Sequence, residues 1–350
     1  MVTTKMTQHV FAQLAGQDDN LGDSALRIAY LRALRGPGRH VHVFLGAPTT
    51  DYVSAFDEGP DVTIYAERGA WAAAERDASR PVHAFNAGET NPRAGVFPGP
   101  RRAAELARVV SAGGAAIVAG IGLKSVNTLA GVTFDPAFRE AAVMSWRDQG
   151  SRDAAGFGDF APDWAYALGR STDSWVPAAS RDVLAVTMRF DRAWPGEEWI
   201  AAVRAFAAGL GVRVVTLAQV ARDAPRAVKL AEALGGEYAM PRSMRHADLD
   251  EQTRAIYGRS VAVISDRAHG LIIGATEGGY PIGSGSDPQK IARLLSAAGL
   301  GALVGRYDEF GEFAARFEAH LPGLAPAVDA ARADIADLTS RIHAVMARVA

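Results

Sequence analysis

The chain of 350 residues contains no cysteine, so disulfide bonds and thiolate metal sites are excluded. It has only four lysines although Lys and Arg together number 37, so nearly all of its cationic side chains are arginines. No apolar run approaches the roughly 20 residues that span a bilayer, and the N-terminus lacks the basic and apolar segments of a signal peptide. These absences predict a cytoplasmic protein without a transmembrane segment.

The chain also lacks an excess of either charge, because its formal net charge is only −2. A protein that binds nucleic acid or an anionic membrane by electrostatics would be more basic. Hydrophobic residues make up 49% of the sequence and charged residues 22%, which is typical of a soluble globular protein. The length allows two domains of ordinary size.

Short β-branched and apolar runs alternate with helical patterns along the chain, which predicts an α/β fold with parallel sheets. The predicted strands are His9–Leu14, His40–Leu45, Val62–Tyr65, Pro81–Asn86, Ala115–Ala119, Ala141–Ser145, Val183–Thr187, Val212–Leu217 and Ser260–Ile264. The predicted helices begin near Asp23–Ser24 and cover Arg101–Val110, Glu197–Ala208, Ala224–Leu234 and Pro326–Val349.

A polar segment, Gly169–Ser174, separates two runs of this alternation and marks a domain boundary. We therefore expect an N-terminal Rossmann-like domain over residues 1–170 and a second one over residues 175–322. The last helix, in residues 323–350, is expected to pack back on the first domain.

The most informative motif is Ser265-Asp266-Arg267-Ala268-His269-Gly270. It follows a predicted buried strand and precedes an apolar segment that is typical of a packed helix. Open α/β sheets bind ligands at such strand-to-helix turns, and helix N-termini attract anions there. Arg267 and His269 therefore suit an anionic substrate that gains or loses a proton, although a histidine at a strand end can also be a hydrogen-bonded core residue.

Four other polar loops follow predicted strands: Asp19–Asp23, Phe85–Glu89, Gly120–Ser125 and Ser145–Ser151. The first contains residues that can cap a helix. The second offers Glu89 as a base or hydroxyl ligand, and the third superficially suggests phosphate binding but favours a tight turn. In the fourth, Arg147 can bind a carboxylate or phosphate in bidentate fashion.

Taken together, the motifs resemble the polysaccharide pyruvyl transferase family. The resemblance spans roughly Asn20 to Leu300, and the motifs have the order and spacing found in that family. They are Asn20-Leu21-Gly22-Asp23, Ser145-x-Arg147-Asp148-x-x-Ser151, Pro162-Asp163-x-Ala165 and Ser265-x-Arg267-x-His269-Gly270. Ala268 replaces the leucine that is usual in the last motif, and the segment Asn86–Glu89 is less glycine-rich than in many members.

The resemblance implies a GT-B-like architecture, in which two Rossmann-type domains face a cleft, the first on the acceptor side and the second on the donor side. It also implies transfer of the pyruvyl group of phosphoenolpyruvate onto sugar hydroxyls of a glycan or glycoside, which forms a pyruvate ketal. We expect His269 to be the main acid–base residue, with Asp148, Asp163 or Glu89 as the second. The residues expected to bind substrate are Arg147, Arg267, Arg189, Asn20, Asp23, Glu89 and Gly270.

No metal-ligand spacing is present, so the sequence predicts a metal-independent reaction with phosphoenolpyruvate as co-substrate and no further cofactor. Two alternatives stay open at this point. One is a GT-B glycosyltransferase that uses a nucleotide-sugar donor, and the other is a non-catalytic protein that binds glycans or anions. Neither the acceptor sugar nor the oligomeric state is encoded in a recognisable pattern.

Overall fold

The computed structural model describes residues 7–56, 59–127, 129–243 and 245–350. The chain forms two compact units. Unit 1 comprises Met1–Asp18, Leu26–Trp164 and Asp334–Ala350, and unit 2 comprises Asp19–Ala25 and Ala165–Ala333. The short segment Asp19–Ala25, which carries the first motif, therefore belongs to the same unit as the last motif.

Unit 1 is built on a parallel sheet. The strands of unit 1 are β1 (Gln8–Gln13), β2 (Arg39–Phe44), β3 (Val62–Tyr65), β4 (Val82–Ala84), β5 (Gly88–Thr90), β6 (Gly95–Phe97), β7 (Ala115–Leu123), β8 (Val132–Phe134), β9 (Val143–Trp146) and β10 (Asp159–Phe160). Strands β6 and β8 form a separate two-stranded sheet. The helices are α1 (Leu21–Leu34), whose first five residues belong to unit 2, α2 (Thr50–Ser54), α3 (Arg68–Asp77), α4 (Pro100–Ser111), α5 (Pro136–Arg139) and α6 (Gln149–Ala155). In the described residues the main sheet has eight strands in the order β10-β9-β7-β4-β1-β2-β3, with β5 beside β7.

Unit 2 holds a second parallel sheet. Its strands are β11 (Val183–Thr187), β12 (Arg213–Thr216), β13 (Glu237–Tyr238), β14 (Ser260–Ser265), β15 (Tyr280–Ser284) and β16 (Val304–Gly305). The helices after β11 are α7 (Glu197–Leu210), α8 (Ala224–Leu234), α9 (His246–Tyr257), α10 (Ala268–Thr276), α11 (Gln289–Ser296), α12 (Phe310–His320) and α13 (Leu324–Val349), of which α13 belongs to unit 1 from Asp334 onward. Short 3-10 turns cover Trp164–Ala167, Thr172–Ser174, Ala178–Ser180, Ala221–Asp223, Gly301–Leu303, Tyr307–Glu309 and Leu321–Gly323.

The strand order of the second sheet is β13-β12-β11-β14-β15-β16. It is the order 3-2-1-4-5-6 of nucleotide-binding α/β folds, in which the chain reverses direction across the sheet between the first and fourth strands. That switch point lies between β11 and β14, and every residue of both strands is buried. The carboxyl ends of β11 and β14 are therefore the place where this sheet is expected to bind a ligand.

The hydrophobic pattern placed most elements correctly. The α/β prediction is confirmed, and α13 begins two residues before the predicted Pro326. Helix α1 buries Leu26, Tyr30 and Leu34 at helical spacing, as its sequence predicts. In unit 1, the last helix also makes polar contacts, since His343 Nε2 lies 2.8 Å from the Ala33 carbonyl oxygen.

Two predicted loops of unit 1 are strands instead. Strand β7 continues through Gly120 to Leu123, because a bulge with a positive φ of 79° at Gly120 lets the chain stay paired with β9. A Cβ at Gly120 would also overlap the indole ring of Trp164. Gly88–Thr90 pairs with this extension as β5. The interpretation of Gly120–Ser125 as a turn is therefore wrong at its first four residues, and Glu89 lies on a short strand rather than in a loop.

Candidate functional site

The last motif forms the turn between β14 and α10 in unit 2. Ser265, the final residue of β14, donates its hydroxyl to the carbonyl of Thr187 at 2.6 Å and accepts the N–H of Arg267 at 2.8 Å. These two bonds join the carboxyl ends of β11 and β14 and fix the start of the turn. Gly270 is buried in the first turn of α10, where a Cβ would lie 3.0 Å from Gln219 Oε1. The backbone of the motif is thus packed tightly against its neighbours.

Arg267 is held in place by a carboxylate that the sequence did not single out. Its Nε and Nη2 both donate to Asp223, with Nη2 2.9 Å from Oδ1. Asp223 is fully buried, and its Oδ1 also accepts the backbone N–H of Phe190 at 3.0 Å. This bidentate pair orients the guanidinium group and compensates its charge.

The first motif lies against the last one, although about 250 residues separate them in the sequence. Asn20 forms an isolated antiparallel bridge with Val220, and the N–H of Leu21 donates to the carbonyl of Gln219 at 3.3 Å. A Cβ at Gly22 would overlap the Cβ and Nδ1 atoms of His269. Only glycine therefore lets the start of α1 approach the imidazole ring so closely.

Asn20 and Asp23 shape the start of α1. The Asn20 side-chain oxygen accepts the N–H of Gly22 at 3.0 Å, and its amide lies 3.4 Å from Asp23 Oδ2. Next along the chain, the Ser24 hydroxyl lies 3.0 Å from Nδ1 of the buried His246. The sequence left open whether this segment only starts a helix, and the structure shows that it does so directly beside His269.

Arg189 follows β11 at the same edge of the sheet. Its guanidinium group donates to both carboxylate oxygens of Asp191, at 2.8 and 2.7 Å. The hydrogen bonds from Arg189 lower the pKa of Asp191 to about 2 and raise the pKa of Arg189. Like Arg267, this predicted substrate-binding arginine has a carboxylate partner.

Only one of the two carboxylate oxygens of Asp266 has a hydrogen-bond partner among the described residues. Its Oδ1 accepts the backbone N–H of Arg189 at 2.7 Å, but its buried Oδ2 has no hydrogen-bond partner among the described residues. The side chain is only 9% exposed, and this burial raises its pKa to about 6. The buried hydroxyl of Tyr307 also has no partner in the described part of the chain, and burial, with the nearby charge of Asp266, raises its pKa to about 12.

In unit 1, the structure brings together Arg147 and Asp163. Arg147 Nη1 lies 3.3 Å from Asp163 Oδ2, and both residues are buried. Arg147 Nε has no hydrogen-bond partner in the described residues. Gly122 lies against this atom, because a Cβ added at Gly122 would overlap it. A buried arginine with an unused N–H can bind an anion. The role of Arg147 in substrate binding stays a prediction.

Asp148 has a clear structural role. Its Oδ1 accepts the N–H of Ser151 at 2.8 Å and its Oδ2 accepts the Ser151 hydroxyl at 2.7 Å, so it caps α6. Ser151 in turn accepts the N–H of Leu123 at 2.9 Å. Glu89 is exposed on β5. These contacts favour Asp163 over Asp148 as the carboxylate that works with Arg147.

Sequence reasoning missed Asp223, Asp266 and Tyr307 as members of the edge in unit 2. Asp223 precedes Ala224-Pro225, a pattern that indicates only the start of a helix. Asp266 lies inside the motif itself, and only its burial distinguishes it from a solvated turn residue. No short pattern marks Tyr307.

Across the described ranges of the chain, no group of three or more histidine, aspartate and glutamate residues could hold a metal ion. The same residues contain no helix that is both long enough and apolar enough to cross a membrane.

No protein-family model and no curated protein sequence matches this chain. Solved structures do match. A UGT2 from Phytolacca americana, complexed with UDP-2fluoro-glucose and pterostilbene, is 9% identical with a TM-score of 0.54, covering 96% of this chain and 99% of its own. A ugt transferase from Siraitia grosvenorii in complex with UDP is 10% identical with a TM-score of 0.53, covering 97% and 99%. An O-GlcNAc transferase mutant from Thermobaculum terrenum is 16% identical with a TM-score of 0.51, covering 99% and 68%.

At these identities the likeness concerns the fold alone. It confirms the predicted fold class, because the chain has the two Rossmann-type parallel sheets of GT-B glycosyltransferases. None of the three structures is a pyruvyl transferase, so the family that the motifs resemble stays a prediction.

Proposed function

We propose that this protein is a transferase that moves a group from a phosphorylated donor onto a hydroxyl group of a sugar. One observation carries the proposal: the first and last sequence motifs meet at the switch point of the second sheet, where Gly22 packs against His269. An arginine, a histidine and a helix N-terminus then occupy the edge at which α/β sheets bind phosphorylated ligands.

Within this proposal, unit 2 binds the donor and unit 1 binds the acceptor glycan or glycoside. Arg267 and Arg189 contact the donor phosphate, and the positive N-terminal end of α10 points at that phosphate. His269 transfers a proton, and Asn20, Asp23 and Gly270 shape the wall beside it. Arg147, Asp163 and Glu89 act on the acceptor side.

The first candidate donor is a nucleotide sugar. The fold likeness supports it, since two of the matched structures contain UDP or a UDP sugar. The loop after β11 offers two exposed rings, Phe190 (43%) and Trp194 (38%), on which a nucleobase could stack. Arg222 lies 5.7 Å from the Phe190 ring centroid and Arg226 lies 5.4 Å from that of Trp194, so a cation lies over each ring. Because Arg267 and Arg189 are each paired with a carboxylate, they suit a donor with a moderate negative charge.

The second candidate donor is phosphoenolpyruvate, in pyruvate-ketal formation. The specific observation in its favour is the contact between Gly22 and His269, because both residues belong to motifs of the pyruvyl transferase resemblance. Phosphoenolpyruvate carries a carboxylate and a phosphate, so Arg267 and Arg189 would both have to face it. The carboxylate partners of these arginines, Asp223 and Asp191, make this donor the more demanding of the two.

Product analysis separates the candidates. The protein is incubated with a panel of glycosides and either phosphoenolpyruvate or UDP, ADP and GDP sugars, and the released phosphate species is identified. Nucleoside diphosphate indicates glycosyl transfer, and inorganic phosphate indicates pyruvyl transfer. His269→Ala is expected to lower the rate by about 10²- to 10⁴-fold. Binding without release of either product would contradict the transferase and favour a non-catalytic binding protein.

A further inference from the structure

We propose that Asp266 is the second proton-transfer residue of this site, taking the proton of the acceptor hydroxyl on its Oδ2 atom. The inference deepens the proposed function and rests on it. It replaces the sequence-based assignment of that role to Asp148, Asp163 or Glu89 in unit 1.

The geometry of the carboxyl group is the first argument. The 2.7 Å bond from the N–H of Arg189 fixes Oδ1 and thereby the orientation of the whole group. Oδ2 is left buried and without a partner among the described residues. Because a buried acceptor without a hydrogen bond costs free energy, a position like this is expected where a ligand supplies the donor. A sugar hydroxyl group is such a donor.

The location is the second argument. Asp266 stands directly after β14, at the switch point, and is separated from His269 by two residues. The backbone at Gly285, after β15, approaches it closely enough that a Cβ there would lie 3.3 Å from Asp266 Cβ. Two other buried oxygens at this edge, Thr187 Oγ1 and Tyr307 Oη, also have no hydrogen-bond partner among the described residues.

The charged groups around Asp266 have opposing effects. Arg189 after β11 and Arg267 on the same turn favour its carboxylate form, whereas Asp223 after β12 disfavours it. Tyr307 after β16 is neutral at physiological pH, since its own pKa is raised. Burial outweighs the two arginines, so the carboxylate is a stronger base than an exposed aspartate.

The reaction step balances for either donor. The acceptor O–H bond breaks, its proton moves to Asp266 Oδ2, and the oxygen forms a bond to the electrophilic carbon of the donor. With a nucleotide sugar, the bond from that carbon to the diphosphate breaks and the diphosphate leaves with the electron pair. With phosphoenolpyruvate, His269 protonates the methylene carbon as the first hydroxyl adds. The second hydroxyl then attacks the same electrophilic carbon and gives its proton to His269, and the bond from that carbon to the phosphate oxygen breaks. Inorganic phosphate leaves with the electron pair and takes the proton held by Asp266.

The test compares Asp266→Asn with the matched control Asp182→Asn. Asp182 precedes the opposite end of β11, is half exposed, and pairs with Arg259 and Arg213. We expect Asp266→Asn to bind the donor with wild-type affinity in calorimetry and to lose kcat/KM by about 10²- to 10⁴-fold. The residual activity of Asp266→Asn should no longer decrease at acidic pH. Asp182→Asn should retain the wild-type rate and the wild-type pH profile.

Asp266→Glu keeps a carboxylate and is expected to shift the acidic limb, which provides a readout if Asp266→Asn does not fold. Wild-type turnover by Asp266→Asn, or an acidic limb that Asp266→Glu leaves in place, overturns the inference and leaves the proposed function standing. Failure of the wild type to turn over any donor and acceptor overturns the proposed function and this inference with it.

Discussion

At the scale of single residues, the pair formed by Arg267 and Asp223 connects stability with binding. Asp223 is fully buried and Arg267 is nearly so, and removal of one partner from such a pair leaves an uncompensated charge. We expect Arg267→Ala to lower the free energy of unfolding by about 3–5 kcal/mol and to abolish donor binding. Chemical denaturation and calorimetric titration measure the two effects.

The double variant Arg267→Ala/Asp223→Asn separates these effects. Removing both charges should restore most of the lost stability, because no buried charge is left unpaired. Donor binding should remain absent, since the cation is still missing. A double variant that regains donor binding would contradict a direct contact between Arg267 and the donor.

A second prediction at this scale concerns Asp266 and the pH dependence of the free energy of unfolding. Its pKa is raised from 3.8 to about 6, so the unfolded chain loses this proton first as the pH rises. The folded state is therefore destabilised between about pH 4 and pH 6, by an amount that stays constant above that range and reaches roughly 3 kcal/mol. The Tm of Asp266→Asn should exceed that of the wild type more at pH 7.5 than at pH 4. An equal difference at both pH values would show that Asp266 ionises normally.

At the scale of elements, the start of α1 depends on one missing side chain. Gly22→Ala adds a methyl group that overlaps His269, so His269 or the helix must move. Overpacking of this kind costs about 1–3 kcal/mol, and displacement of the histidine should reduce turnover more than donor affinity. The matched control is Gly69→Ala in α3, where a Cβ meets nothing within 4 Å. Steady-state kinetics of both variants tests this, and unchanged turnover in Gly22→Ala would argue against a role for the contact.

Strands β1 and β2 carry a histidine cluster that predicts acid sensitivity. His42 Nε2 lies 2.9 Å from His9 Nδ1, and His42 Nδ1 lies 2.9 Å from the Tyr65 hydroxyl. Burial, with the charges of His40 and His9, lowers the pKa of His42 from 6.5 to about 4. Between these values the unfolded chain binds a proton that the folded chain does not, so stability decreases as the pH falls from 6.5 to 4.

Replacing His42 by glutamine should remove part of this pH dependence, whereas His320→Gln in unit 2 should leave it intact. Thermal unfolding at half-unit steps from pH 7.5 to pH 4.5 measures the effect. A His42→Gln curve that runs parallel to the wild-type curve would contradict the account of the cluster.

The helices and strands also show which parts of the fold can be predicted from the sequence. Buried strands such as β11 and β14 are predictable because their β-branched runs are local signals. Strand β5 is three residues long and exists through its pairing with β7, which no local pattern encodes. For the same reason the motif around His269 could be recognised on its strand-to-helix turn, whereas the partnership of Arg267 with Asp223, 44 positions away, could not.

At the scale of the whole molecule, each unit contains a parallel sheet in which the chain reverses direction between its first and fourth strands. In unit 2, Arg189, Asp266 and Arg267 lie at the carboxyl ends of β11 and β14, and Asp19–Ala25 adds the first motif to the same edge. We therefore propose that unit 2 binds the donor and that Arg147 and Asp163 in unit 1 act on the acceptor.

The most direct measurement is a calorimetric titration of nucleotide sugars and phosphoenolpyruvate into the wild type and the Arg267→Ala/Asp223→Asn variant. The account predicts saturable binding of one of these donors to the wild type and none to the folded double variant. Binding of equal strength to both proteins, or no binding of any phosphorylated donor to the wild type, would contradict a donor site at the carboxyl edge of the second sheet.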